Sequence, residues 1–150
     1  MIETIFGPIN SRRFGKSLGI DLSPSKKQCN FDCLYCELAP AMTMNHYDDV
    51  VSVEEIILSL KKSLSKHKDI DVITITANGE PTLYPYLNEL IDEINLIQDR
   101  PHTFMLSNGS TINDNKIQNA LLKLDSIKLS LDCASTQCLQ KLDRAQKEFL

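Results

Sequence analysis

No stretch of this 150-residue chain approaches the roughly 18 consecutive apolar residues that a membrane span requires, so no membrane role is expected. The opening segment, MIETIFGPINSRRFG, lacks the basic region, apolar run and small-residue cleavage site of a secretory signal, which makes the cytoplasm the default compartment. No linker, low-complexity tract or internal repeat breaks the sequence. It also has no glycine-rich phosphate loop of the GxGxxG or GxxxxGK kind, which weighs against a metal-free nucleotide-binding domain. The five cysteines are not an even set. Three are clustered, and Cys133 and Cys138 lie about a hundred residues further on. That pattern suits a metal site in a reducing compartment better than a secreted disulfide framework.

What is present is ordinary for a globular domain. Apolar residues make up 42% and charged residues 24%. One domain is expected, long enough to bury about two thirds of its unfolded surface. The net charge is -4 and unevenly spread: residues 1–28 carry five basic residues, Arg12, Arg13, Lys16, Lys26 and Lys27, against Glu3 and Asp21. This local +3 reads first as a solvated basic face and second as a site for an anionic ligand.

Two hydrophobic periods alternate along the chain. Ser52 and Glu55 form a capping box ahead of a helix over 52–67, with Val53, Ile56, Ile57, Leu60 and Leu64 on one face. DVITIT (71–76) is a β-branched run of strand length. Leu87, Leu90, Ile91, Ile94 and Ile97 then fall at helical spacing, and TFMLS (103–107) is again a strand. A third helix begins near Asn113 with Ile117, Leu121 and Leu124 aligned, IKLSL (127–131) is a strand, and residues 135–150 are helical in pattern. With LGIDLS (18–23) as the first strand, four strand-helix units follow one another. This predicts an α/β fold with a parallel sheet, either an open doubly wound sheet or an arc of a barrel. Both architectures place ligands at the carboxyl ends of the strands. The cysteine cluster, NGEP (78–81), SNGS (107–110) and LDCAS (131–135) all fall there.

CNFDCLYC (29–36) carries Cys29, Cys33 and Cys36. Three thiolates on one loop favour zinc or iron-sulfur, because oxygen-loving ions would have drawn carboxylates. A structural zinc site needs a fourth protein ligand, which His46, Cys133 or Cys138 would have to supply. A cubane iron-sulfur cluster held by three cysteines instead leaves one iron open to a small molecule. Buried free thiols are the plain reading, weakened here by the spacing and by Lys26 and Lys27 alongside. Cys133 and Cys138 read as separate packing thiols. His46, His67 and His102 read as exposed.

The C-x3-C-x2-C spacing with Tyr35 just before the last cysteine resembles the signature of the radical S-adenosylmethionine (radical SAM) enzymes. GPINSRRFGKSLGIDL and NGEPTLYP further resemble a branch related to wyosine synthase, a tRNA-modifying enzyme. The resemblance implies a partial (β/α) barrel whose three cysteines bind a [4Fe-4S] cluster, with S-adenosyl-L-methionine on the fourth iron. It implies reductive cleavage to a 5'-deoxyadenosyl radical, hydrogen abstraction from a substrate, and an electron donor such as flavodoxin or ferredoxin. The substrate would be a tRNA or a small molecule. Asn78, Gly79 and Glu80 stand where the family's Gly-Gly-Glu turn contacts the methionine ammonium. Ser107 and Asn108 occupy its Thr-Asn turn, and Ser130 and Asp132 are in place to reach the ribose. Tyr35 would pass the adenine by its backbone, its side chain packing. Arg12 and Arg13 either face substrate or cap the bottom of the barrel. The family's core has six units, so residues 1–150 would be its N-terminal portion. RAQKEFL ends without a cap, as a truncated product would, and such a fragment is expected to bind a cluster with weak or no turnover.

Overall fold

The computed structural model describes residues 3–150. Five strands form one sheet in sequential order: β1 (Ile5–Ser11), β2 (Gly15–Asp21), β3 (Val72–Thr76), β4 (His102–Ser107) and β5 (Ser126–Leu129). β2 to β5 are parallel, and β1 pairs antiparallel with β2. Helices α1 (Val53–Lys66), α2 (Leu87–Asn95) and α3 (Asn115–Leu121) provide the crossovers. This is the parallel α/β arrangement of the expected partial barrel.

Alternation along the strands sorts the two faces of the sheet. Leu18, Ile20, Ile73, Ile75 and Met105 join Ile56, Leu60, Leu90, Ile91 and Ile94 in the core beneath the helices. The opposite face carries small and polar groups, including Gly19 and the Ser17–Thr74 hydroxyl pair at 2.8 Å, together with the Phe14–Phe104 ring contact at 4.4 Å. The cap of α1 is as expected: the Ser52 hydroxyl accepts from the Glu55 amide at 3.2 Å.

Three expectations need correction. The first strand runs over Gly15–Asp21, three residues earlier than its apolar run suggests. An additional strand, β1, precedes it. Gly7 and Pro8 break its alternation, and its register shifts between Phe6 and Ile9. A proline without an N–H belongs at such a bulge on an edge strand. Residues 135–150 do not form a regular helix. One turn at Thr136–Cys138 passes into an irregular turn at Leu139–Asp143, and Arg144 adopts φ 47°. The amides of Asp32 and Leu34 bond to the carbonyls of Asp143 and Leu142, drawing this segment onto the cysteine loop.

At the amino end of the sheet, Asp125 ties β4 to β5. Its carboxylate accepts from Arg100 Nη1 at 2.6 Å and from the Thr103 amide and hydroxyl at 2.8 and 3.0 Å. The Arg100 guanidinium and the Thr103 amide hold this carboxyl well below the usual carboxylate range. A depressed folded value means stability that is present above the ordinary carboxylate pKa and lost as pH falls toward the depressed one. Asp125→Asn should therefore cost about 1–2 kcal/mol at pH 7 in urea unfolding. The difference from wild type should shrink as the pH is lowered below about 4; an equal deficit at pH 7 and pH 3 would refute this.

Candidate active site

The carboxyl ends of β3, β4 and β5 and the cysteine loop that follows β2 surround a cavity of about 410 Å³. Its wall includes Cys29, Cys33, Tyr35, Cys36, Gly79, Glu80, Ser107, Asn108, Ser130 and Asp132. Of the residues matched to the cysteine signature and the cosubstrate turns, Asn78 alone stands outside this wall. It lines the back of the cysteine loop with Lys27 and Glu37, and works through its backbone: its N–H donates to Asp21 Oδ1 at 2.9 Å and its carbonyl accepts from the Gln28 amide at 2.8 Å.

The cysteine loop is fixed first at Gln28, whose importance no sequence motif signals. Its side chain is completely buried. Its Oε1 accepts from the Asp48 and Asp49 amides, and its Nε2 donates to Ser23 Oγ and the Asp49 carbonyl, all within 3.1 Å. Its backbone bridges to the Gly79 turn. Gly79 has φ 145°, and a Cβ there would lie 1.8 Å from the Gln28 carbonyl oxygen, so only glycine permits the contact.

Glu80 is 1% exposed, and among the described residues no cation pairs with it. Its Oε1 accepts from the Thr82 amide and hydroxyl and from Ser107 Oγ at 3.1, 2.7 and 2.6 Å, while Oε2 accepts the Asn108 amide at 2.7 Å. Oε1 is thus saturated and Oε2 keeps a lone pair for one more donor. Asn108 in turn binds Asn30 Oδ1 at 2.8 Å, and Asn30 Nδ2 reaches Ser110 Oγ at 2.7 Å. The SNGS turn is therefore both structural and part of the cavity wall.

All three cysteines are free and partly accessible. Cys29 Sγ receives the Phe31 amide at 3.4 Å and Asn108 Nδ2 at 3.9 Å. Burial pushes the Cys29 thiol up to about 12 and raises that of Cys33. Lys27 forms a nearly buried pair with Asp32 at 2.6 Å. Burial alone would lower the lysine, but Asp32, Cys36 and Cys29 outweigh it and hold the ammonium charged. Among the described residues no three or more His, Cys, Asp or Glu side chains are grouped as ligands of a metal ion. His46, considered as a zinc ligand, lies outside the cavity wall, exposed, with Asn45 Oδ1 at 2.9 Å and Asp48 Oδ1 at 3.0 Å.

Several smaller expectations change. Cys133 and Cys138 are not separate thiols but a disulfide with Cα atoms 5.4 Å apart, brought together by the turn in which Ser135 Oγ accepts the Cys138 amide. Tyr35 is 53% exposed, and its side chain is held by its hydroxyl, which donates toward Asp132 at 2.5 Å. β5 ends at Leu129, two residues before the end of the expected IKLSL run, so Ser130 and Asp132 lie past its end. Arg12 and Arg13 occupy the β1–β2 hairpin, at the end of β2 away from the cavity. His102, at the start of β4, is exposed as expected, whereas His67, at the C-cap of α1, is half-buried. No helix among the described residues is long and apolar enough to cross a membrane.

A family model described as the radical SAM superfamily matches residues 24–148. A UPF0026 protein from Helicobacter pylori strain J99 is 49% identical over 144 residues, covering 95% of this chain and 47% of that protein. A GTP 3',8-cyclase from Campylobacter jejuni is 29% identical over 140 residues, covering 92% of this chain and 42% of that one. The solved structure of TYW1 with a lysine-pyruvate adduct bound shares the fold at a TM-score of 0.58 and 21% identity, over 89% of this chain and 47% of that one. The chain spans about half the length of the curated relatives it matches.

Because both carboxylate oxygens of Glu80 accept backbone or hydroxyl donors, an amide in its place would turn an N–H toward one of them. Glu80→Gln should lower the unfolding free energy by about 1–3 kcal/mol. Thermal or urea unfolding at pH 7 checks this; an unchanged stability would mean that the carboxylate is held by something other than these contacts.

Proposed function

The chain belongs to the radical SAM superfamily, and from that premise we propose that Cys29, Cys33 and Cys36 hold a [4Fe-4S] cluster with S-adenosyl-L-methionine beside it. The observation that carries this reading is the meeting of three free thiols and the ends of three parallel strands at one cavity. When bound, the pair supplies one-electron reductive cleavage of the cosubstrate for hydrogen abstraction from a substrate.

The residues present fit that load. Glu80 Oε2 offers its remaining lone pair to the methionine ammonium, and Gly79 lets the backbone approach closely. Glu80, Asp132 and Asp143 are the charged side chains of the cavity wall, which suits a ligand carrying ammonium and sulfonium groups. The N–H groups directed at Cys29 Sγ are of the kind that tune a cluster's potential. Phe31, Leu106, Leu131, Leu139 and Phe149 provide apolar walls that restrict water.

A small redox protein such as flavodoxin or ferredoxin would deliver the electron. The substrate is a tRNA base or a small molecule presented at the strand ends. Arg12 and Arg13 sit at the other end of the sheet, so the phosphates of a tRNA would be held by other groups. The work belongs in the cytoplasm, where a cluster of this kind survives.

Anaerobic reconstitution of the chain with iron and sulfide, followed by electron paramagnetic resonance of the reduced protein, tests the proposal. About four irons per chain are expected, with a cubane signal that changes on adding S-adenosyl-L-methionine. Since the Cys29 thiol, pushed up to about 12, must lose its proton to bind iron, uptake should strengthen between pH 7 and pH 9. Failure to take up iron, or zinc bound in its place, would overturn the cluster; a signal indifferent to the cosubstrate would overturn the second half.

A further inference from the structure

The three cysteines are anchored unequally. Cys29 follows Gln28 directly and shares its attachment to the β3 turn, whereas Cys33 and Cys36 stand at the outer end of a loop without regular secondary structure. Within that outer part the Cys36 amide bonds the Cys33 carbonyl at 3.1 Å. Asp32, just before it, binds Lys27 at 2.6 Å and the Ala41 amide at 3.2 Å within the loop, and the remaining attachments are made to distant parts of the chain.

Tyr35 lies between these two cysteines. Its hydroxyl approaches Asp132 Oδ2 at 2.5 Å, just beyond β5, and Asp143 Oδ1 at 3.1 Å, in the C-terminal segment. One phenol hydrogen thus serves two carboxylates. Asp143 is 3% exposed, and its segment also takes the loop by its backbone. The Asp143 and Leu142 carbonyls accept the Asp32 and Leu34 amides at 3.1 and 2.9 Å, and the Gln146 amide donates to the Asn30 carbonyl at 2.9 Å. Arg144 adds an ion pair to Asp32 at 3.6 Å.

We infer that Tyr35 is a positioning residue whose hydroxyl, clamped by Asp132 and Asp143, sets the place of Cys33 and Cys36. Its half-exposed ring contributes little packing. The clamp spans two elements far apart in sequence, so it registers the outer cysteines against the strand-end cavity rather than merely stiffening the loop. The inference rests on reading the loop as a cluster site, but its test does not require a cluster.

Hydrogen exchange of the metal-free full chain, followed by mass spectrometry, reads the loop directly. Tyr35→Phe should speed exchange at residues 32–36 about tenfold while α1 and β3 keep wild-type rates. Asp132→Ala with Asp143→Ala should give a similar increase, and adding Tyr35→Phe to that pair should add nothing, the non-additivity of groups acting as one unit. If losing Asp143 unfolds the chain, the exposed Asp132→Ala alone carries the cycle, reducing the effect of Tyr35→Phe. In reconstituted protein, Tyr35→Phe should also shift the resonance line of the reduced cluster. Wild-type exchange in Tyr35→Phe, or effects that multiply, would overturn the clamp without touching the cluster reading. Absence of iron uptake in wild type would sink that reading and leave the exchange result standing.

Discussion

The site depends on one close backbone contact, Gln28 against Gly79. The Gln28 amide donates to the Asn78 carbonyl at 2.8 Å and the Glu80 amide donates to the Gln28 carbonyl at 3.0 Å, so the turn after β3 and the start of the cysteine loop run as a short parallel pair. That proximity requires a residue without a Cβ at position 79 and a side chain at position 28 that can satisfy every polar group it buries. Gln28 does so, meeting backbone donors with its oxygen and a hydroxyl and a carbonyl with its nitrogen. A buried amide left unpaired would cost about 1–3 kcal/mol, more than a typical made bond returns. The fit of this one side chain therefore holds the long connection between β2 and α1 in a single arrangement, and with it Cys29.

Glu80 extends the same logic to the next strand. A carboxylate at 1% exposure ordinarily needs a cation, and here neutral donors from the β3 and β4 turns take that part. The consequence is functional as well as structural. Since no lysine or arginine neutralises Glu80, its negative charge remains available to the cavity. Lys27, whose side chain is nearly buried, is directed to Asp32. Charge is thus separated across the cysteine loop, with carboxylates facing the cavity and the ammonium behind it.

How far the sequence disclosed this arrangement follows from the kind of signal each part leaves. β3, β4 and the faces of α1 and α2 are repetitive in their burial, so their periods were legible, and strand-end geometry correctly gathered the cysteines with Gly79, Glu80, Ser107, Asn108, Ser130 and Asp132. β1 was not legible because Gly7, Pro8 and a register shift interrupt the alternation that marks a strand. Residues 135–150 keep helical spacing of Leu139, Leu142 and Phe149 but spend their carbonyls on the amides of the cysteine loop, a tertiary demand that no local pattern records. Gln28, Asn30 and Asp143 share that character. Each is buried and polar for the sake of a partner at least 20 residues away, and periodicity carries no trace of such pairing.

The two edges of the sheet are closed to different degrees, and this bears on the cavity. On the β1 edge, Pro8 lacks a donor and the register shift interrupts the strand, both of which hinder further pairing there. β5 has neither device. It is four residues long, and Leu129 and Leu131 beside it are exposed, the latter at 86% while also lining the cavity. Compared with β1, a strand added to this sheet meets less obstruction at β5. There it would run past Leu131 and Asp132, covering apolar surface and completing the open wall of the cavity in the same step. Because residues 130–133 after β5 line the cavity, any polypeptide that pairs with this edge also shapes what the cavity admits.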